Sequence, residues 1–573
     1  MPTFLFTLLA IFGNPAAASD LKLDFSGRIQ TDLRFRLDAP DTGPWYAPFP
    51  HQPEIIRSQN ILNTKLRATK GSFSGFADID IVMIGRPDTV LGIEALSARR
   101  TLDPFRIEAH ALYIEGRDLF VRGLDLRLGQ QLAQWGVGDQ FNPTNTLNAN
   151  DIEDPLLFGE QQANLMARLD YSPGGGNWTF TGVLIPVFRP ALIPPSGVLG
   201  LASVQRLPFT NDDIRWRIHS ERDLASELFS IPTVVENVNP VLPKPDFANM
   251  QYSFRVGGWV GGQDIGLSYY RGFSDVPQAA TTHSTQDTTD RCNPDNEEEC
   301  IDGVLNNQVS LIFPRMHVAG FNMAGEMNVL GWMHRSIQPI GYRIEFAMFF
   351  PEKTQITLTN DDLNIGGISQ PAGEYDYQLG EGQRPTIIDG RPFAKWVLGL
   401  DYTFGRHLYV NAQWVHGMLD EFGAGDFIQE GYVVRDGGVS SEPLGTTTCV
   451  LAKDGKECAW ETLRSRIGDY IVVGTDIRFL SGSALFRMFT ILDLTGAVDD
   501  RWDANSGQRV RTRFGPFTPE GFGMVLYPQL SYNFGNGLEL TGGALLNLGK
   551  PHGKFGDPAA GGSMIWTQGK YSF

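Results

Sequence analysis

The sequence predicts an all-β protein, a transmembrane antiparallel β-barrel of about 18 strands (16–18) with long external loops and short periplasmic turns. Three observations predict this fold. Apolar and polar residues alternate with a period of two over segments longer than typical soluble strands. Long and short connections alternate between these segments. No apolar run in the body of the chain reaches the roughly 18 residues of a membrane-spanning helix.

The first predicted strand, 22–37, shows the pattern most clearly. In "LKLDFSGRIQTDLRFRL", Leu23, Phe25 and Ile29 lie on one face, and acidic, basic and amide side chains occupy the other. A tilted strand that crosses a bilayer needs about 9–11 residues within the hydrocarbon, and this segment is long enough.

Later segments repeat the alternation. The segment 104–115 is expected to point Ala111 and Tyr113 outward and His110 inward, and the segment 340–350 to point Arg343 and Glu345 inward. An apolar face opposite a charged face is typical of a barrel with lipid outside and water inside.

Tight turns are predicted after even-numbered strands and long loops after odd-numbered ones, the order expected when both termini are periplasmic. A count of 16 strands stays possible, because the segment 313–350 is difficult to divide into strands. The predicted segments are 22–37, 60–70, 72–84, 104–115, 122–134, 163–172, 177–187, 249–259, 263–272, 313–326, 340–350, 394–404, 407–417, 468–479, 484–495, 523–534, 537–548 and 562–573.

Residues 1–18 are predicted to be a signal peptide, with an apolar run followed by small residues at the cleavage site; a buried first helix is the alternative. Residues 19–573 then form a single domain.

In an exported chain, two local disulfides are expected in external loops, one between Cys292 and Cys300 and one between Cys449 and Cys458, because these spacings do not match zinc sites. A net charge of −18 argues against nucleic acid as a partner.

The chain ends with Tyr571 and Phe573 in the alternation of the last segment. This end resembles the C-terminal strand of Gram-negative outer-membrane proteins, which implies recognition by the barrel-assembly machinery. Two further stretches, 127–173 and 181–197, resemble a porin-like family of Gram-negative outer-membrane barrels of largely unknown function, distantly similar to alginate-export-type porins. That resemblance implies an outer-membrane channel and names no solute.

Residues 135–162 connect the fifth and sixth strands and are the candidate constriction loop, by analogy with general porins. The loop's Asn side chains are expected to form local Asx-turns, and its acids to face inward-pointing arginines across the lumen. A surface loop, with arginines that only brace the wall through ion pairs, is the alternative. The candidate pore residues are Asp139, Asn142, Asn145, Asp151, Glu153, Asp154, Arg28, Arg34, Arg106, Arg127, Arg168 and Arg255.

The longest connection, 188–248, begins with an apolar stretch and contains a predicted short helix at 220–229; it is expected to act as a lid or plug, or to pack on the rim. The acidic residues Asp295, Glu297 and Glu299 are a weak calcium candidate, and a solvated loop that bridges to lipopolysaccharide is the alternative.

The sequence therefore predicts a porin-like channel of the bacterial outer membrane for passive passage of small polar or anionic solutes. The alternatives are a barrel that handles hydrophobic or lipid-like molecules, and a surface receptor or adhesin. No catalytic motif is recognisable, so no enzyme and no cofactor are predicted. The expected partners are membrane lipid, lipopolysaccharide, the assembly machinery and the solute, and the oligomeric state stays open.

Overall fold

The protein is described from a computed structural model. The described residues are 21–38, 45–46, 54–86, 93–154, 156, 159–193, 231–328, 338–352, 354–365, 368–370, 372–375, 386–388, 392–419, 421, 425–426, 464–465, 467–503, 508–550, 553–556 and 562–573. The predicted signal peptide and the predicted helix at 220–229 lie outside these residues, and so do Cys449 and Cys458.

Eighteen strands form one sheet in which every strand pairs antiparallel with its neighbours in the chain. The first and last strands also pair, with Arg28 opposite Ser572, which closes the sheet into a barrel. The strands are β1 Lys22–Arg36, β2 Ile55–Lys70, β3 Phe73–Ile84, β4 Phe105–Gly116, β5 Leu124–Gln131, β6 Asn164–Tyr171, β7 Trp178–Ile185, β8 Gln251–Val260, β9 Gln263–Phe273, β10 Arg315–Met327, β11 Ile340–Pro351, β12 Phe393–Phe404, β13 Leu408–His416, β14 Asp469–Phe479, β15 Ala484–Asp493, β16 Gly523–Asn533, β17 Leu538–Gly549 and β18 Met564–Ser572.

The prediction of eighteen strands is confirmed, and each predicted segment overlaps one barrel strand. The predicted alternation of connections is also present. Tight turns such as 261–262 and 405–407 join strands at one end, the short-turn rim, and long connections such as 132–163 leave the other end, the long-loop rim. The connection 328–339 is the longest at the short-turn rim.

The outer face of the barrel is apolar and exposed, as the alternation predicts. Among its residues, Ile107 is 65 % exposed and Phe254 and Leu267 are each 58 % exposed. Such a surface is stable in contact with hydrocarbon and is rarely continuous on a soluble protein. Among the described residues, no helix is long and apolar enough to span a membrane.

The predicted outward orientations of Ala111 and Tyr113 are both wrong, and a β-bulge in β4 is the reason. Asp78 on β3 pairs with Ala111, but the next residue, Ile79, pairs with Ala109, so His110 is an extra residue in β4. The bulge reverses the alternation after it. Tyr113 therefore points inward, where the Arg127 guanidinium lies 4.6 Å from its ring centroid.

A second, smaller sheet, which the sequence analysis did not predict, lies in the long connections. Its strands are Thr233–Val241, Gln278–Asp287, Val304–Ile312, Thr354–Asn360, Gly373–Tyr375 and Thr386–Ile388, called here the outer sheet. They come from three separate connections, so these three long loops are joined to one another at this end of the barrel.

The sequence predicted two disulfides, and one of them lies within the described part of the chain. Between the second and third strands of the outer sheet, a hairpin of Arg291–Asn293 and Asn296–Ile301 carries the Cys292–Cys300 disulfide, which is confirmed. The second predicted disulfide is not among the described features, because neither Cys449 nor Cys458 belongs to the described residues. The pairing of Cys458 with Cys449 therefore stays a prediction.

Candidate functional site

Residues 132–163, which join β5 to β6, form a loop that folds into the barrel; we call it the lumen loop. It contacts inward-facing side chains of β11 and β13 and, at another part of the loop, those of β1 and β2. Because β1 and β11 lie on well-separated parts of the wall, the lumen loop extends across the interior.

The Glu345 carboxylate, on β11, holds one part of this loop. It accepts hydrogen bonds from the backbone N–H groups of Val137 (2.8 Å), Gly138 (2.9 Å) and Thr144 (2.8 Å), and from the Thr144 hydroxyl (2.8 Å). Glu345 is completely buried. A buried carboxylate needs this density of donors, because an unsatisfied one is costly.

Gly136 permits this close approach. Its φ is +100°, and an added Cβ would lie 2.6 Å from a Glu345 carboxylate oxygen. Strand β5 ends at Gln131, and the backbone at Gly136 comes close to strand β11 of the wall.

Asp139 makes the next contact along the loop. It forms an ion pair of 2.7 Å with the Arg343 guanidinium of β11 and accepts a hydrogen bond of 2.6 Å from the Asn411 amide of β13. Arg343 also lies 3.4 Å from Asp401 on β12. The predicted pore residue Asp139 is thus paired with a wall arginine rather than facing one across open space.

Asp154 and Glu153 attach the other part of the loop to β1 and β2. Asp154 binds Arg34 through two oxygens at 2.5 and 2.7 Å, and Glu153 lies 2.6 Å from Arg57. Burial by itself would raise the pKa of Asp154, but the hydrogen bonds and charge of Arg34 outweigh it, and its pKa is lowered. Asp154 is consequently charged at neutral pH.

The loop's asparagines do not form the predicted local Asx-turns. The Asn148 amide donates to the backbone carbonyls of Gln131 (3.1 Å) and Gln162 (3.0 Å), and the Asn145 amide donates to the Gln161 side chain at 2.8 Å. These bonds connect the outgoing and returning arms of the loop. The sequence prediction failed because an amide can satisfy a distant backbone group as well as a near one.

Asx-turns are made instead by the loop's aspartates. The Asp151 carboxylate accepts from the Glu153 N–H at 3.1 Å, and the Asp154 carboxylate accepts from the Leu156 N–H at 3.0 Å. Asn142, another predicted pore residue, takes part in a backbone turn, in which its carbonyl accepts from the Asn145 N–H at 3.0 Å.

The tip of the lumen loop joins the long-loop rim. Asp151 forms a β-bridge with Leu192, and the Asn150 N–H and amide both donate to the Asp275 carboxylate, at 2.7 and 2.9 Å. Ile152 packs with Val309 of the outer sheet in a small apolar cluster. The described start of the connection 188–248 is therefore packed on the rim.

The predicted inward arginines mostly pair with wall carboxylates. Arg34 lies 2.6 Å from Asp32, Arg127 2.8 Å from Glu115, Arg168 2.8 Å from Asp170, and Arg28 3.6 Å from Asp80, while Arg106 pairs with Glu108. Arg255 differs from them. Within the described part of the chain it has no ion pair, although its buried Nε lacks a hydrogen bond just as that of Arg28, Arg127 and Arg168 does.

Glu345, Arg343 and Arg57 bind the loop but are not among the pore residues predicted from the sequence. The sequence does carry a signal for two of them: the alternation of β11 points the charged residues Arg343 and Glu345 into the barrel, on a strand that is otherwise apolar. A cavity open to solvent lies between the loop and the wall near the long-loop rim, and Asn145, Phe349 and Lys395 are among its lining residues.

The weak calcium candidate lies on the disulfide hairpin. Asp295, Glu297 and Glu299 are exposed there, and Glu299 accepts a hydrogen bond of 2.9 Å from the Asn293 amide. Their oxygens do not converge on one point. Among the described residues, the group with metal-binding geometry is a different one, formed by Asp80, Glu108 and His110.

No family model matches the chain, and no curated protein matches it. Among solved structures, OccAB3 of Acinetobacter baumannii is 10 % identical with a TM-score of 0.41, over 97 % of this chain and 99 % of that one. The outer membrane protein opdK of Pseudomonas aeruginosa is 8 % identical with a TM-score of 0.42, over 97 % and 98 %. OccK5 (OpdH) of Pseudomonas aeruginosa is 9 % identical with a TM-score of 0.39, over 96 % and 97 %.

Proposed function

We propose that the protein is a channel of the bacterial outer membrane that passes small polar or anionic solutes, and that the lumen loop is its constriction. The observation that carries this proposal is the attachment of one loop to opposite parts of the wall, through Glu345 and Arg343 on one side and Arg34 and Arg57 on the other. A loop so held narrows the path and leaves the rest of the interior to water.

The lining supports a polar solute. The loop and the facing wall present carboxylates, guanidinium groups and amides, which replace the hydration of a polar molecule at low cost. Most of the inward arginines are neutralised by ion pairs, so the preference for anions depends on the few that are not. Arg255 is the candidate for direct contact with an anion.

The cavity between the loop and the wall supplies a site where a solute can pause. Phe349 and Phe393 stack there with ring centroids 4.8 Å apart, beside the Asn145 amide and the Lys395 ammonium group. Apolar surface with a few polar groups is the usual composition of a small-molecule site.

Location in the outer membrane is supported by the exposed apolar outer face and by the closure of the sheet, which leaves no unpaired strand edge in lipid. In the same proposal, residues 1–18 direct export, and Tyr571 and Phe573 are read by the assembly machinery. Both aromatic residues are about half exposed on the outer face. The likeness to alginate-export-type porins stays a prediction.

Single-channel recording from the full chain in planar lipid bilayers tests the channel. A stable current that is linear with voltage is expected, and its reversal potential in a salt gradient measures the preference for anions. Absence of any current would contradict the proposal and favour the receptor or adhesin. Current that appears only after removal of 188–248 would favour the gated, lipid-handling alternative.

A further inference from the structure

Asp80 on β3 and Glu108 and His110 on β4 form a cluster on the lumen side of the wall, called here the wall triad. One potential ligand atom from each residue lies within 4.8 Å of the other two. The proposed channel function does not use this arrangement, and it contains a nitrogen ligand as well as carboxylate oxygens.

The bulge in β4 builds the cluster. Without it, β3 and β4 would pair in continuous register; with it, His110 is the unpaired extra residue and its imidazole lies beside Asp80. Bulges commonly re-aim a side chain next to a functional site. The local break in the ladder therefore has a specific consequence for the position of one imidazole.

The contact between His110 and Asp80 is close. His110 Nε2 lies 3.1 Å from an Asp80 carboxylate oxygen, yet this nitrogen atom is buried and has no hydrogen-bond partner of acceptable geometry. Two atoms that ligate one tetrahedral ion with bonds of about 2.0–2.1 Å lie roughly 3.3 Å apart, and both point at the ion rather than at each other. The distance of 3.1 Å between His110 Nε2 and the Asp80 oxygen is close to that value.

A supporting residue orients the carboxylate. The Asn63 amide donates to the other oxygen of Asp80, and Asn63 is almost fully buried. Hydrogen bonds from residues that do not themselves bind the metal commonly fix the orientation of the metal ligands. Two cations oppose metal binding, namely Arg28, 3.6 Å from Asp80, and Arg106, which pairs with Glu108.

Carboxylates of the lumen loop offset those cations. Asp151 interacts electrostatically with Glu108, and Glu160 interacts with His110 and Arg28. Neither carboxylate has an ion pair within the described part of the chain. Both carboxylates therefore lie close enough to the wall triad and its cations to act on them electrostatically.

We propose that the wall triad binds a divalent transition-metal ion of the class that accepts imidazole together with carboxylate, with zinc as the representative. Calcium and magnesium prefer sites made only of oxygen ligands, so they suit this set less well. The ion would lie on the wall beside the lumen loop and add positive charge to the path of the solute.

The test is calorimetric titration of the purified, folded full chain in detergent with Zn²⁺ alone. The expected result is binding in the micromolar range that weakens at least about tenfold in His110→Ala and in Glu108→Gln. His317→Ala is the matched control, because His317 instead bonds to Tyr269 at 2.7 Å on the outer face and its loss should leave binding unchanged. The characteristic shift in migration of unheated protein on gels reports that each variant is folded.

Two results would overturn the proposal: no Zn²⁺ binding by the wild-type chain, or equal binding by wild type and folded His110→Ala. Neither result depends on conductance, so failure here is distinguishable from failure of the channel function. As a second readout, Zn²⁺ should reduce the single-channel current of wild type and of His317→Ala, but not that of His110→Ala.

Discussion

Glu345 and Thr144 are 201 positions apart in the chain, yet the Glu345 carboxylate accepts both the N–H and the hydroxyl of Thr144 at 2.8 Å. This contact joins the lumen loop to a strand six positions around the barrel from the strand that precedes the loop. The same carboxylate also binds Val137 and Gly138. One buried acid thereby fixes the backbone of a segment that has little apolar core of its own.

Replacement of Glu345 by Gln should release this part of the loop. The carboxamide has one acceptor oxygen, and its NH₂ group would face N–H donors, so we expect a loss of about 3 kcal/mol at this contact. The readout is the open-channel current, which should become noisier and larger in Glu345→Gln. Glu326→Gln, a change at an exposed position at the end of β10, is the control and should leave the noise and the amplitude of the current unchanged. Equal noise in both variants would show that Glu345 does not fix the loop.

Neutralisation of Asp154 and neutralisation of Asp151 should change the free energy of unfolding in opposite directions. The pKa of Asp154 is lowered, so its charge stabilises the folded state above the pKa of the unfolded chain, and this stability disappears as pH falls through the folded-state pKa. The pKa of Asp151 is raised by burial, so its contribution is present at low pH and is lost as pH rises through its folded-state pKa.

At pH 7, Asp154→Asn should therefore cost about 3 kcal/mol, since it breaks a buried pair while Asp32 still contacts Arg34. Asp151→Asn should be neutral or stabilising. The measurement is the free energy of unfolding from urea titration in lipid vesicles. A larger loss for Asp151→Asn than for Asp154→Asn would contradict the assignment of the two charges.

Arg255 should contribute to anion preference. Its charge is not cancelled by an ion pair within the described residues, and a unit charge about 4 Å from an ion in water is worth about 1 kcal/mol. In Arg255→Gln the anion-to-cation permeability ratio should fall roughly twofold to fivefold, as measured by the reversal potential in a salt gradient. Arg255→Lys keeps the charge and should behave like wild type. A ratio unchanged in Arg255→Gln would remove this residue from the path.

Phe573 should matter more for assembly than for the stability of the finished barrel. Its backbone pairs with Gly27 through two hydrogen bonds of 3.0 Å, and its ring lies 6.1 Å from that of Phe25. Both Phe573→Ala and Phe25→Ala lose this ring contact, but only the first changes the C-terminal residue. The amount of folded barrel in the outer membrane should fall severalfold in Phe573→Ala alone, while both variants refold similarly in detergent. An equal fall in both variants would show that only the ring contact matters.

The barrel was predictable because its strands obey a single local rule. Alternation in segments such as 22–37 follows directly from lipid on one side and water on the other, and it needs no information from distant residues. The bulge at His110 shows the limit of that rule. One additional residue reverses the face of everything after it, and nothing in the sequence around His110 marks the place.

The contacts of the lumen loop were less predictable, because they depend on which strands face each other across the interior. Position in the strand order located the loop, and its polar composition predicted that it lies in water. The partners Glu345, Arg343 and Arg57 are distant in sequence, and their selection depends on three-dimensional closure. The outer sheet was missed for the same reason, since its strands come from separate long connections.

The most direct test of the constriction is the single-channel conductance after deletion of Gly138–Asn150, which removes the Thr144 contact to Glu345 and the Asp139 contact to Arg343. The lumen should widen and the conductance should rise severalfold above wild type. Deletion of Cys292–Cys300, in the disulfide hairpin beyond the outer sheet, is the matched control and should leave conductance unchanged. A conductance equal to wild type in the Gly138–Asn150 deletion would contradict the role of the lumen loop as the constriction.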